Sequence, residues 1–244
     1  MNSSIDNIYK KEPNLGNFKF DQKVAQVFED MIHRSVPGYQ YSLEMIKILG
    51  SKYQQKNSNC YDLGCSLGAS TLSLTQGLDD PSIHVYGIDS APEMIKKCEK
   101  DQKFKDLNPD IPVHWICKDV RDIEFINASI VLLNFTLQFI PKNQRSSLLK
   151  RIASSLLPGG ILILSEKIAF KDEDTHLLQA EIHHAFKKQQ GYSDLEISRK
   201  RAALENVLVP ETQEDHYKRL SRSGFKTTTQ WFQCFNFVSF ISQK

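Results

Sequence analysis

No excess of either charge marks this 244-residue chain: 31 Lys and Arg stand against 29 Asp and Glu, a formal net charge of +2. That balance leaves no basic footprint of the kind that dominates nucleic-acid affinity, so a small-molecule substrate is expected rather than direct RNA or DNA binding. There is no C-x-x-C pair; Cys60, Cys65, Cys98, Cys117 and Cys234 are scattered, several in apolar strand-like runs, and read as buried thiols of a cytoplasmic protein. No apolar run is long enough to cross a bilayer, and residues 1–17 lack the apolar core of a signal peptide and are expected to form a flexible arm. A metal set is also missing. His176, His183 and His184 share one predicted helix, but the adjacent pair points about 100° apart and no Cys or carboxylate completes it at ligand spacing. Repeats, low-complexity tracts and linkers are absent too.

What is present is ordinary globular composition, 40% hydrophobic and 25% charged, in a length that fits one domain, 1–244, with a helical insertion over 172–208. From Asp21 the apolar residues Val24, Val27, Phe28, Met31 and Ile32 share one helical face, broken at Pro37-Gly38, and a second helix is expected over 41–53. Strand and helix signals then alternate: strands at 60–63, 83–89, 113–117, 129–134 and 161–165, with helices from Ala69, from a Ser90 N-cap to about Lys103, and around 148–156. Alternation of this kind predicts βαβ units and a mostly parallel sheet. Two polar-rich helices, 173–190 and 194–207, follow, separated by Gly191; Ser193 and Glu196 form a capping-box pattern at the start of the second. A helix over 213–222 and an antiparallel edge hairpin, 227–234 with 236–242, complete the chain.

The chemistry concentrates in Tyr61-Asp62-Leu63-Gly64-Cys65-Ser66-Leu67-Gly68-Ala69, a glycine-rich turn between the first strand and its helix. In an open parallel sheet ligands bind beyond the carboxyl ends of the strands, which places this turn at the site. A dinucleotide fold wants a glycine where Ser66 stands, to admit a pyrophosphate; a nucleoside without phosphates does not need that clearance. Asp89, about 25 residues after Gly64, closes the second strand, where a carboxylate accepts hydrogen bonds from both ribose hydroxyls. Asp119 is expected near the adenine amino group and Asn134 near the reacting end of the ligand, in the order of an S-adenosylmethionine site. The same turn also matches G-x-S-x-G, the nucleophile elbow of α/β hydrolases, with Ser66 as nucleophile, but no oxyanion loop precedes it. Arg199-Lys200-Arg201 reads as a solvated helix face and 231–235 as a packed strand.

Beyond the turn the sequence resembles the carboxy-S-adenosyl-L-methionine synthases, within the class I methyltransferase superfamily, over about 20–237. The resemblance is carried by 30–39 (Asp-Met-Ile-His-Arg-Ser-Val-Pro-Gly-Tyr), 61–69, 133–139, 164–167, Gly191-Tyr192-Ser193, 195–198, Leu204-Glu205-Asn206-Val207 and 231–237. It implies a Rossmann-like fold that takes S-adenosyl-L-methionine as substrate, without a metal, and converts it with prephenate into carboxy-S-adenosyl-L-methionine, phenylpyruvate and water. Prephenate would lose carbon dioxide and hydroxide, the hydroxide would deprotonate the sulfonium methyl, and the resulting ylide would capture the carbon dioxide. The product would pass to a tRNA carboxymethyltransferase for 5-oxyacetyl-uridine formation at the wobble position. Nucleoside-holding positions carry over to Tyr39, Gly64, Cys65, Ser66, Asp89, Ser90, Asp119, Val120 and Asn134, and the arginine that meets the new carboxylate carries over to Arg201. Ser90 departs from the Asn common at its position, and the chain is slightly lengthened around 106–109. A homodimer through the helices after Glu166 is also implied. Two other readings fit the turn alone: a conventional methyltransferase for a small anionic acceptor, and a non-catalytic nucleoside binder.

Overall fold

The computed structural model describes residues 5–11, 18–106, 108–205 and 207–244. Asn206 of the resemblance blocks and 1–4 and 12–17 of the expected arm lie outside the described residues. Asp21 caps α2 (Gln22–His33) by accepting the Val24 N–H, and Val24, Ala25, Val27 and Met31 turn inward. Gly38, left-handed at φ 74°, redirects the chain into α3 (Tyr39–Tyr53).

Five strands follow in parallel: β1 (Asn59–Leu63), β2 (His84–Asp89), β3 (Val113–Cys117), β4 (Ala128–Asn134) and β5 (Leu156–Ala169). With β7 (Thr227–Cys234) and β8 (Phe237–Gln243) the order is β3-β2-β1-β4-β5-β8-β7, the last two antiparallel. The expected antiparallel hairpin forms at that edge, with β8 against β5 and β7 outermost. Connecting helices are α4 (Ala69–Gly77), α5 (Pro92–Lys100), a single turn α6 (Lys103–Asp106) and α7 (Lys142–Ser155). β4 explains its own sequence. Ile130 and Leu132 enter one core with Ile46 and Leu74, whereas Val131 and Leu133 enter the other with Leu149 and Ile152. Both faces are covered, so the strand reads as an unbroken apolar run rather than an alternation. Each such side chain contributes about 1.5–3 kcal/mol by burial, and truncating Leu132 to alanine should cost about 2–5 kcal/mol.

The insertion is α8 (Glu173–Gln189) and α9 (Asp194–Leu204), the latter opened by the Ser193–Glu196 capping box and ending three residues sooner than its pattern suggests. A two-residue strand β6 (Glu211–Thr212), with no signal in the sequence, pairs with the end of β5 before α10 (Gln213–Arg222). Arg145 of α7, wholly buried, reaches that strand: it pairs with Glu211 and donates to the carbonyls of Ile140 at 2.8 Å, Gln138 at 3.1 Å and Val209 at 2.8 Å.

Three local expectations need correction. Ala91, not Ser90, is the N-cap of α5 and no side chain caps the helix; the Asp89 carboxylate accepts the Ala91 N–H at 2.8 Å, closing the turn that leads into it. Cys117 is exposed at the end of β3, while Cys60, Cys65 and Cys98 are buried. Within the segment expected to be a flexible arm, residues 5–11 are docked: α1 (Ile8–Lys11) follows a buried Asp6 whose N–H donates to Asp30 Oδ2 at 2.7 Å. The Tyr192 hydroxyl donates to the Asp6 carboxylate, and Arg199 Nη1 donates to the Tyr9 carbonyl at 2.9 Å. The segment is polar because its polar groups are partnered by α2 and α9, a distinction composition does not carry.

Candidate active site

A cavity of about 300 Å³ lies beyond the carboxyl ends of β1, β2 and β4, where the strand order reverses between β1 and β4. Tyr39, Gly64, Cys65, Ser66, Asp89, Ser90, Asp119, Val120 and Asn134 all line it. Arg201 does not; it is exposed on α9, yet near enough to depress the Lys167 and Lys187 amines.

The turn after β1 is fixed by its own backbone. Gly64 sits at φ 78°, and a Cβ there would lie 2.4 Å from Thr136 Oγ1, so both conformation and space require glycine. The N–H groups of Gly64 and Cys65 both donate to the Ile88 carbonyl, at 2.8 and 3.0 Å. Ser66 is also left-handed, at φ 50°, and its N–H donates to Asp89 Oδ2 at 2.9 Å. Asp89 thus receives one backbone donor on each oxygen, which aims the carboxylate and leaves a lone pair on each for a ligand's diol. Burial raises its pKa, opposed by the Ala91 and Ser66 N–H groups. Behind it Asp62, buried on β1 with Thr71 Oγ1 donating at 2.6 Å, is pushed up to about 7 by burial.

Also in the cavity wall, Asn134 donates through Nδ2 to Ser70 Oγ at 2.8 Å, and its buried Oδ1 has no partner among the described residues. A buried acceptor left open toward a cavity suits an ammonium or hydroxyl donor on a ligand. Tyr39 is buried beside Phe135, its phenol raised by burial and by the nearby Asp62 and Glu29 carboxylates. Asp119 is gripped by Arg121, whose Nε and Nη2 lie 2.8 and 2.6 Å from its two oxygens, holding the carboxyl below its ordinary range and ionised. The open acceptor positions on Asp89 and Asn134 are of the kind a ligand with a vicinal diol and an ammonium would fill. Cys65 is no thiolate, since burial raises it well above the usual thiol range.

The cavity also shows residues that pattern reasoning missed. Lys167 at the end of β5, His183 and Lys187 on α8 and Lys200 on α9 all line it. Lys200 lay within the run read as a solvated face, but Glu196, Ile197, Lys200 and Ala203 form the inward stripe of α9. Its position four residues after Glu196 was the available signal. Lys200 Nζ donates to Ser35 Oγ at 2.9 Å and stands 3.7 Å from Asp6 Oδ2. His183 Nε2 is 2.8 Å from the Ser35 carbonyl, an arrangement that requires the proton on Nε2. Burial and the adjacent lysines push its pKa down to about 3, so the ring is neutral. With His183 turned to Ser35, no histidine is hydrogen-bonded to Ser66 Oγ among the described residues, and the elbow reading has no base. No group of His, Cys, Asp and Glu able to hold a metal ion occurs among the described residues.

Residues 60–160 match the family model described as a methyltransferase domain. The chain is 50% identical over 239 residues to a carboxy-S-adenosyl-L-methionine synthase of Marinobacter nauticus, covering 98% of this chain and 95% of the relative. It is 52% identical over 228 residues to one of Citrifermentans bemidjiense, covering 93% of each. Among solved structures it resembles magnesium protoporphyrin IX methyltransferase of Synechocystis PCC 6803, with TM-score 0.57 and 19% identity over 94% of this chain and 89% of that one. A mitomycin 7-O-methyltransferase gives TM-score 0.58 at 11% identity, over 100% and 62%. At such identities the structural likenesses show the fold alone, a Rossmann-like class I methyltransferase fold.

Proposed function

The chain belongs to the carboxy-S-adenosyl-L-methionine synthases, and from that premise we propose that it converts S-adenosyl-L-methionine and prephenate into carboxy-S-adenosyl-L-methionine, phenylpyruvate and water. One observation carries the choice of reaction: the cavity that holds Asp89 and Asn134 is also faced by Lys167, Lys187 and Lys200, while its carboxylates are engaged, Asp89 by the Ser66 and Ala91 N–H groups and Asp119 by Arg121, and the His183 imidazole is turned to the Ser35 carbonyl. Methyl transfer to an oxygen or nitrogen nucleophile often wants a base or orienting polar group beside the methyl, whereas making a carboxylate wants fixed cations. In this reading the prephenate C–C bond to the departing carboxylate and its C–O bond break, giving carbon dioxide and hydroxide. The hydroxide removes a proton from the sulfonium methyl as water, and the carbon so freed bonds carbon dioxide. Asp89 holds the ribose, Asp119 and Val120 the adenine edge, and Asn134 and Tyr39 the amino-acid end. Arg201, exposed in this arrangement, would reach the new carboxylate through its long side chain, and no metal takes part.

We further propose a cytoplasmic homodimer that contacts through the insertion, where Leu177 and Leu178 of α8 stand more than half exposed, and that hands its product to a tRNA carboxymethyltransferase. The test is mass spectrometry after incubation with S-adenosyl-L-methionine and prephenate. A sulfonium nucleoside heavier by one carboxyl group is expected; adenosylhomocysteine would indicate methyl transfer, and unchanged ligand a binder.

A further inference from the structure

The three lysines of the cavity are not equivalent. Lys200 already has partners, with Ser35 Oγ at 2.9 Å, Asp6 Oδ2 at 3.7 Å and the Tyr192 ring face at 5.2 Å. Lys167 of β5 and Lys187 of α8 have no hydrogen bond or ion pair from their amines among the described residues, although both are half-buried in the cavity wall. The charges that act on them are all cationic: Arg201 on Lys167, and Lys167, Lys200 and Arg201 on Lys187. Beside them Phe135 and Phe237 meet edge to face at 5.9 Å, and Phe237 meets the neutral His183 ring at 5.0 Å, giving an apolar surface in the same cavity. Two desolvated amines without a counter-ion are costly to the fold, and that cost is recovered when anions enter between them.

We propose that Lys167 and Lys187 form the subsite of the second substrate, gripping the two carboxylates of a cyclic dianion whose ring lies against Phe135 and Phe237. This rests on the carboxyl-transfer reading for the identity of the dianion, but not for the existence of the site. The free Lys187 amine is pushed down to about 7 by burial and by Lys167, Lys200 and Arg201, while the neighbouring His183 stays neutral. A bound carboxylate reverses that shift, so binding at pH 8 takes up a proton.

The experiment is calorimetric titration of prephenate into protein loaded with adenosylhomocysteine, in two pH 8 buffers of different ionisation heat. It is run for the unmodified chain, Lys167→Met, Lys187→Met and, as control, Lys188→Met, whose amine stands in the exposed pair with Asp194. Each of the first two substitutions should weaken prephenate binding at least tenfold, leave S-adenosylmethionine affinity within about twofold, and leave the melting temperature unchanged or higher. Lys187→Met should also abolish the proton uptake; the control should do none of this. Prephenate affinity unchanged in both cavity variants, or lost together with adenosylmethionine affinity, overturns the subsite. If the unmodified protein binds prephenate through these lysines but forms no carboxylated product, the subsite stands and the proposed reaction fails.

Discussion

Replacing Asp89 with alanine perturbs two structures at once, and their magnitudes separate them. In the free protein the side chain accepts the Ala91 N–H at 2.8 Å and the Ser66 N–H at 2.9 Å. Removing it leaves two backbone donors without their acceptor. An unsatisfied buried donor costs about 1–3 kcal/mol, and water entering from the cavity holds each near the lower figure. A total of about 2 kcal/mol should lower the melting temperature of a chain this size by roughly 4–8 °C. In the complex the remaining lone pairs are those proposed to meet the ribose diol. Charge-assisted hydrogen bonds contribute about 1.5–3 kcal/mol each, so losing two should weaken nucleoside binding by two orders of magnitude or more. Asp89→Asn keeps the shape and one carbonyl oxygen but sets its amide N–H₂ against one of the two donors, so it should fall between alanine and the unmodified chain in both readouts. Calorimetry with adenosylhomocysteine below the transition of each variant, and thermal melts through it, measure the two effects independently. A folded Asp89→Ala protein with unchanged affinity would refute the ribose contact. Lost affinity without any fall in melting temperature would refute the argument that this carboxylate shapes the turn.

Three further outcomes follow from buried charge and from the turn. Glu211→Ala leaves Arg145, wholly buried, without its carboxylate and should cost about 3–5 kcal/mol in urea unfolding, clearly more than Arg219→Ala, whose guanidinium is nearer solvent. Equal losses would mean that Arg145 is satisfied by its three carbonyls alone. Asp62 has a folded pKa of about 7 against an ordinary 3.8, so the folded state binds the extra proton between those values and stability falls as pH rises through that window. Asp62→Asn, which can retain the Thr71 bond, should therefore be relatively more stable at pH 8 than at pH 4, and parallel melting curves for the two proteins across that range would contradict the shift. A fluorophosphonate probe should leave Ser66 unlabelled because no imidazole activates it; stoichiometric labelling would restore the hydrolase reading.

The alternation of strands and helices was legible because each periodicity belongs to one element and one burial state: β4, covered on both faces, cannot show polar positions, and α2 shows one apolar face because only that face turns inward. The turn from Gly64 to Ser66 and the acid at Asp89 were legible for a related reason, since backbone conformation and strand ends constrain residue type locally. What stayed hidden depended on long-range partners. Asp6 looks like any polar residue near a chain start until Asp30, Tyr192 and Lys200 are brought to it from α2 and the α8–α9 region. β6 is two residues long and exists because β5 outruns its expected end and Arg145 crosses to Glu211. The cationic wall is the sharpest instance. Lys167, Lys187 and Lys200 come from three elements, and each alone has the ordinary appearance of a solvated lysine; only the folded chain shows that two of them have no ion-pair partner among the described residues. Sequence periodicity reports where a side chain is buried, but an unpaired buried cation is defined by what does not surround it. For that reason the half of the cavity proposed to hold the nucleoside could be read from one glycine-rich turn and a few strand ends, whereas the half proposed for the second substrate required the fold.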